Sequence, residues 1–210
     1  MTRLLIVGST GLVGGHALAR ALADARFAQV IAPTRRPLPL QHAKLENPVV
    51  DFDALPASAA WWRVDAVVCG LGTTIGDAGS RPAFRRVDFD YVLAAATHAR
   101  AAGASSFALT SALGAHPDSR NFYLRTKGEA EAALRSLDYP SLTLVRPSMI
   151  GGERARRRRL EHVAARLMRA VEPMVPRRYR VVRAERIAQC LLDAAFAAEP
   201  GVRAVESEHI

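Results

Sequence analysis

Short apolar runs and longer amphipathic stretches alternate from the first residues onward. "RLLIVG" (3–8) is nearly all apolar and stops at a glycine, which reads as a strand buried on both faces, as in a parallel sheet. "LVGGHALARALAD" (12–24) carries Leu12, Val13, Ala17, Leu18, Ala21 and Leu22 at helical spacing. "QVIAPTR" (29–35), "NPVVDF" (47–52) and "VDAVVCGLG" (64–72) read as the second, third and fourth strands. A helix is predicted over about 81–102, with Phe84, Val87, Tyr91, Val92 and Ala95 on one side. "SSFALTSA" (105–112) is a fifth strand, 123–137 a helix, and "SLTLVRPS" (141–148) a sixth strand stopped by Pro147. Further helices are predicted near 157–171 and 184–198, the second preceded by a short strand. Regular alternation of strand and helix predicts an α/β fold, a doubly wound and mostly parallel sheet with helices on both faces.

The chain has 210 residues, half of them apolar, enough for one domain with a sizeable core. No apolar run reaches the roughly 18–20 residues of a membrane span, and "MTRLLIVGST" leads into a glycine turn rather than a signal-peptide cleavage site. Cys69 and Cys190 stand far apart in no redox or metal spacing. Neither disulfides nor a metal site are indicated, and a reducing cytoplasm is the expected location. The net charge of +9 is concentrated: residues 154–186 hold twelve arginines against three acids, and the rest of the chain is neutral. Within a small substrate or lid segment at 148–183, this charge is either a solvated helix face, a rim attracting an anionic cofactor or substrate, or a nucleic-acid or membrane patch. Tyr179 is the lone aromatic there, so nucleic acid is not the expected partner.

"GSTGLVG" places Gly8, Gly11 and Gly14 between the first strand and the first helix. Such glycines permit a tight turn, close backbone approach to a pyrophosphate at the helix N-terminus, and close helix–strand packing. The loop Gly8, Ser9, Thr10, Gly11, Leu12, Val13 and Gly14 is therefore a candidate dinucleotide cradle, the alternative being a plain βα turn. After the second strand, where an NAD site usually carries an acid, stand Thr34, Arg35 and Arg36. Two guanidiniums suit the 2′-phosphate of NADP(H), expected here over NAD(H); otherwise they are solvated loop charges. Asp51 either bonds the adenine amino group or caps its own turn. Gly70, Leu71, Gly72 and Thr73 either pass beside the middle of the cofactor or form an ordinary strand-end turn.

Tyr123 and Lys127, four apart on a predicted helix, share one face. A phenol with a pKa of about 10 is a poor acid–base catalyst at neutral pH; a neighbouring ammonium favours its ionised form and lets it exchange a proton with a substrate oxygen. Ser111 closes the preceding strand, and its hydroxyl is expected to bond a substrate carbonyl or alcohol. A Tyr-x-x-x-Lys pair is common by itself; its place after the glycine loop and the strand ending in "TSA" gives it weight.

The stretches "GSTGLVG", "CGLGTTIGDAGS", "FRRVDFDYV", "SALGA", "YLRTKGEAE" and "LVRPSMIGGER" together resemble the atypical short-chain dehydrogenases/reductases of NAD(P)-binding type. Within them the chain is similar to the HTATIP2-like branch and its bacterial epimerase/dehydratase-like relatives. The resemblance implies a Rossmann domain binding NADPH, with a catalytic constellation on Ser111, Tyr123 and Lys127. It also implies that Arg146, Pro147 and Ser148 lie near the nicotinamide, that Met149 and Ile150 line the site, and that a homodimer forms through the helices at 81–102 and 123–137. Only about sixty residues follow Pro147, which argues against a bulky nucleotide-sugar. The expectation is a reductase of a small carbonyl or alcohol substrate, with an NADPH-responsive regulatory protein or an epimerase/dehydratase-like enzyme as alternatives.

Overall fold

The computed structural model describes residues 2–151 and 176–210. In chain order these form β1 (Thr2–Val7), α1 (Leu12–Ala23), β2 (Phe27–Ile31), β3 (Leu45–Glu46), β4 (Ala66–Cys69), α2 (Ile75–Ala78) and α3 (Arg81–Arg85). A π-helical turn (Arg86–Asp90) leads directly into α4 (Tyr91–Ala101), followed by β5 (Ser106–Thr110), α5 (Phe122–Arg135) and β6 (Ser141–Arg146). β7 (Met149–Gly151), β8 (Val181–Arg183), α6 (Ala184–Ala197) and β9 (Gly201–Glu206) complete the order.

Seven strands form one sheet in the order β3-β2-β1-β4-β5-β6-β9, every pairing parallel. Alternate side chains of each strand face opposite layers. Leu4, Ile6, Val68 and Ala108 pack under α1 and α6, while Leu5, Val7, Val67, Cys69, Phe107 and Leu109 pack under α4 and the segment around Trp62. Strand order reverses between β1 and β4, and in such sheets the crevice beyond the strand ends at that point is where ligands bind.

The doubly wound parallel fold is the expected one. The third strand is shorter than its apolar run suggested: β3 is two residues long, and of 47–52 only Val49 bridges, to Thr34. Pro48 has no N–H for a ladder, and the Asn47 amide spends its bonds sideways, donating to Ala32 O and Thr34 Oγ1 and accepting from Leu38 N. The predicted helix over 81–102 is continuous but contains the π turn, marked by the Tyr91 N–H bonding Arg86 O. β9 pairs with β6 at the sheet edge and escaped the sequence reading: Gly201, Arg203 and Glu206 break its apolar pattern. Ile187, Ala188, Leu191, Leu192 and Ala195 of α6 are buried, as expected of core residues. The predicted helix near 157–171 lies outside the described residues. No helix among the described residues is long and apolar enough to cross a membrane.

Gly14 offers a sharp test of the sheet–helix packing. A Cβ there would lie 2.1 Å from the Gly8 carbonyl oxygen, backbone that cannot step aside. Gly14→Ala is expected to destabilise the protein by more than about 3 kcal/mol in urea unfolding, the upper range for overpacking. Gly76→Ala, whose nearest neighbour would be Thr74 Oγ1 at 3.8 Å, should leave stability unchanged or slightly raised.

Candidate active site

The crevice is floored by backbone. Gly8 leaves β1 with φ +87°, and a Cβ on it would lie 2.7 Å from Gly70 C and Leu71 N. Gly70 would in turn meet Gly14 Cα at 3.1 Å, so the glycine loop, α1 and the end of β4 touch without side chains. Gly11 caps α1 without a capping side chain, and among the described residues the N–H groups of the first turn and the positive helix end are left directed outward. Ser9 is 3% exposed, and its hydroxyl has no hydrogen-bond partner among the described residues. A cleft of about 590 Å³ opens over this turn, lined by Thr10, Gly11, Leu12, Gly15 and His16 on one wall and Gly72, Thr73 and Asp77 on the other. Val13 points into the core instead. A cradle that a Cβ would fill, an uncapped helix end and an orphaned hydroxyl together fit a dinucleotide diphosphate.

Beyond β2, Thr34 is buried, its hydroxyl bonded to Arg36 O and accepting from Asn47, so it shapes the loop. Arg35 and Arg36 are exposed. Asp51 accepts from its neighbour's amide, Asp53 N at 2.9 Å, which is the turn-capping alternative.

Asn121 starts α5 by accepting the Leu124 N–H, and this sets Tyr123, Lys127 and Glu131 along one side. Tyr123 is half-buried with its ring 5.6 Å from that of Phe84. Lys127 is 4% exposed, pairs with Asp88 Oδ1 at 2.7 Å and reaches Thr110 O at 3.4 Å. Asp88 is 1% exposed, and its other oxygen accepts the Thr73 N–H at 2.9 Å. Burial acts to strip the Lys127 proton, but Asp88, then Tyr123, outweigh it and hold the lysine pKa above its ordinary value. A Cβ on Gly72 would sit 3.7 Å from Lys127 Nζ, so the lysine lies directly under the loop that walls the cleft. Cys69 lies close by, its thiol pushed up to about 11 by burial.

Three expected residues are placed differently. Ser111 does close β5, but it is 2% exposed and its hydroxyl donates to Glu131 Oε1 at 2.5 Å; it does not turn that proton toward the cleft. Arg146 spends its guanidinium on two carboxylates, with Nε on Glu131 Oε1 and Nη1 on Glu206 Oε1, both at 2.9 Å. Bonding to Glu131, followed by Glu206, raises its pKa further. Ser148 joins the frame too: its N–H bonds Ser207 Oγ at 3.1 Å and its hydroxyl bonds Arg180 O. Pro147 is buried, and its carbonyl accepts from Leu113 N. Met149 and Ile150 are exposed on β7.

The sequence reading missed Asp88, Glu131 and the cleft position of His16, whose Nε2 faces Glu185 Oε1 at 3.3 Å. A signal existed for Asp88. It stands four residues after Phe84 and four before Val92, an acid on an apolar helix face, and a buried charge needs a partner. Glu131 stands one turn beyond Lys127 on the side already singled out.

Parallel strands, a glycine cradle at the strand-order reversal and a Tyr–Lys pair beside it define a dinucleotide-binding Rossmann protein. The family model described as NAD(P)H-binding matches residues 8–196, and the chain belongs to that family. It is 37% identical over 151 residues to the protein HTATIP2 of Rattus norvegicus, covering 70% of this chain and 62% of that one. To the mitochondrial protein FMP52 of Lodderomyces elongisporus it is 33% identical over 161 residues, covering 72% and 68% respectively. The chain thus spans about two thirds of the length of these curated relatives. Among solved structures, MoeE5 in complex with UDP-glucose and NAD superposes with a TM-score of 0.72 at 17% identity, over 97% of this chain and 75% of that one. The UDP-N-acetylglucosamine 4-epimerase of Methanobrevibacter ruminantium superposes at 0.71 and 14% identity, over 98% and 76%. These structural likenesses concern the fold.

The buried Glu131–Arg146 pair can be tested directly. Arg146→Met should leave an unpaired carboxylate that is 4% exposed and cost about 3–5 kcal/mol in urea unfolding. Adding Glu131→Leu should recover much of the loss, because the stranded charge is then gone.

Proposed function

We propose that the chain is an NADP(H)-dependent oxidoreductase acting on a small carbonyl or alcohol, with Tyr123 as its acid–base group. The observation that carries the proposal is the Lys127 ammonium, buried one helical turn from Tyr123 and directly beneath Gly72 of the cofactor loop. The first-turn amides of α1, Ser9 and Thr10 would hold the diphosphate, and Gly70–Thr73 would flank its middle. Arg35 and Arg36 would meet an adenosine 2′-phosphate, with Asp51 beside the adenine. When bound, the nicotinamide supplies or accepts the hydride.

In the reducing direction the Tyr123 phenol gives its proton to the substrate oxygen as the carbonyl carbon gains hydride, and solvent restores the proton. Lys127 keeps positive charge beside the phenol and stabilises the phenolate left behind. The Ser111 hydroxyl, engaged by Glu131, holds α5 to β5 rather than polarising substrate. The segment 148–183 is proposed to supply the substrate side; residues 152–175 of it lie outside the described residues, and at its described ends β7 pairs with β8 and Ser148 bonds Ser207 and Arg180. A homodimer through α4 and α5, and a reducing cytoplasm suited to two unpaired cysteines, belong to the same proposal.

The engagement of the Ser111 and Arg146 side chains favours a second reading, an NADPH-responsive regulatory protein with little turnover. The relatives equally leave an epimerase/dehydratase-like reaction as an alternative.

Titrating NADPH and NADH into the cofactor-free chain separates these readings. NADPH should bind at least about tenfold tighter than NADH, and Arg35→Ala/Arg36→Ala should abolish that difference with NADH affinity unchanged. Tyr123→Phe should keep NADPH affinity and lose about 100-fold or more in turnover on a carbonyl found by screening. Undiminished turnover would remove Tyr123 from the chemistry. NADPH binding with no turnover on any screened carbonyl would support the regulatory reading.

A further inference from the structure

We propose that Asn47 is a specificity-determining residue of the cofactor site: its side-chain amide, together with the Thr34 hydroxyl, fixes the loop that presents Arg35 and Arg36 to an adenosine 2′-phosphate. This rests on the NADP(H) reading above. Asn47 commits its whole amide to that loop and the strand end before it. Nδ2 donates to Ala32 O at 2.5 Å and to Thr34 Oγ1 at 2.8 Å, and Oδ1 accepts the Leu38 N–H at 2.8 Å. Thr34 is 4% exposed, and its hydroxyl donates to Arg36 O at 2.7 Å. One amide therefore closes residues 34–38 across their mouth, and one buried hydroxyl pins the Arg36 carbonyl inside. The base is held as well: Ala32 N bonds Glu46 O, Thr34 N bonds Pro48 O and Val50 N bonds Thr34 O.

The rest of the loop has little freedom. Pro37 disfavours helical backbone at Arg36, and Pro39 does the same at Leu38. Leu38 packs against the core layer that contains α1 and α6. Both guanidiniums, by contrast, are exposed, and neither pairs with a carboxylate among the described residues. The backbone is held and the charged ends are left for a ligand. A phosphate accepts paired N–H bonds from a guanidinium fork, and a side chain whose backbone is already placed loses less freedom on binding it. NADH has a hydroxyl where NADPH has this phosphate and makes no such demand on the loop. Fixing the loop thus raises NADPH affinity and leaves NADH affinity almost untouched. An asparagine of purely structural value would affect both cofactors alike.

The test compares NADPH and NADH affinity by calorimetry in wild type and variants. Asn47→Ala should weaken NADPH binding about tenfold and change NADH binding by less than about twofold. Thr34→Val, which removes the hydroxyl and keeps the shape, should act in the same direction, while Thr34→Ser should retain the NADPH preference. Added to Arg35→Ala/Arg36→Ala, Asn47→Ala should cost no further NADPH affinity, because its effect runs through the arginines. An equal loss for both cofactors overturns the proposal. So does an unchanged NADPH preference in Asn47→Ala or Thr34→Val, or a further loss of about tenfold without the arginines. Hydrogen exchange in the cofactor-free wild type supplies a readout that needs no variant to fold. The Leu38 amide should exchange at least about tenfold slower than an unstructured amide, and free exchange there overturns the proposal too. Equal binding of NADPH and NADH by wild type, or a preference that survives Arg35→Ala/Arg36→Ala, overturns the NADP(H) reading and this proposal with it. A preference that depends on the arginines and survives Asn47→Ala overturns this proposal alone.

Discussion

Three glycines meet without a side chain between them where β1, α1 and β4 converge. Gly8, Gly14 and Gly70 approach so closely that a methyl group on any of them would enter a neighbour's backbone contact distance. The rest of the site depends on that approach. It draws the N-terminus of α1 down to the strand ends and leaves its first amides exposed above a shallow cleft. It also fixes the chain leaving β4, whose next residues form the other wall. Because the contact is backbone on backbone, the cradle is set by the main-chain path and not by side-chain rotamers.

The layer behind that wall is organised by charge. Along α5, Tyr123, Lys127 and Glu131 succeed one another at four-residue intervals, and the two ionic members meet opposite charges from other elements: Asp88 from the π turn, Arg146 from β6. Gly128 lets the helix lie against the backbone of His116 and Pro117, where a Cβ would be 2.1 Å from a carbonyl carbon. Buried ion pairs of this kind contribute less to stability than their count suggests, since desolvation offsets the attraction. Their value lies in placement. Lys127 is held between Asp88 and the Thr110 carbonyl, and Ser111 and Arg146 are drawn into the Glu131 cluster instead of the cleft.

The parallel α/β class with helices on both faces, the glycine loop between β1 and α1 and the Tyr–Lys side of α5 were all legible in the sequence, because each arises from a local period or from residues adjacent in the chain. β9 was not legible. It is an edge strand whose first four residues are exposed, and glycine, arginine and glutamate interrupt its pattern. The short β3 was misread because Pro48 has no N–H to give a ladder and the Asn47 side chain bonds Ala32, Thr34 and Leu38 instead, which hydropathy does not register. The fates of Ser111 and Arg146 were hidden for another reason. Their partners, Glu131 and Glu206, lie 20 and 60 residues away, and a local motif cannot tell whether a hydroxyl faces substrate or a buried carboxylate.

The π turn at Arg86–Asp90 has a consequence for how this helix can change in length. A four-residue step overshoots a full α-helical turn by roughly 40°, so Phe84, Asp88, Val92 and Ala96 would drift around a regular helix. The wider turn takes up the overshoot and keeps all four buried. Losing one residue here would restore an unbroken α-helix and leave Phe84 and Val92 at a seven-residue spacing, still on one face. Only the turn itself would be rewound, and Asp88 would rotate by roughly 50° about the axis, away from the lysine. Single-residue deletions at 86–90 that spare Asp88 would thus yield folded chains in which the ion pair is broken. A deletion elsewhere in α4 would instead swing its two flanks by about 100° and disturb the core directly. Length variation in this helix, and not only substitution, is a route by which such a site can be disarmed while its scaffold survives.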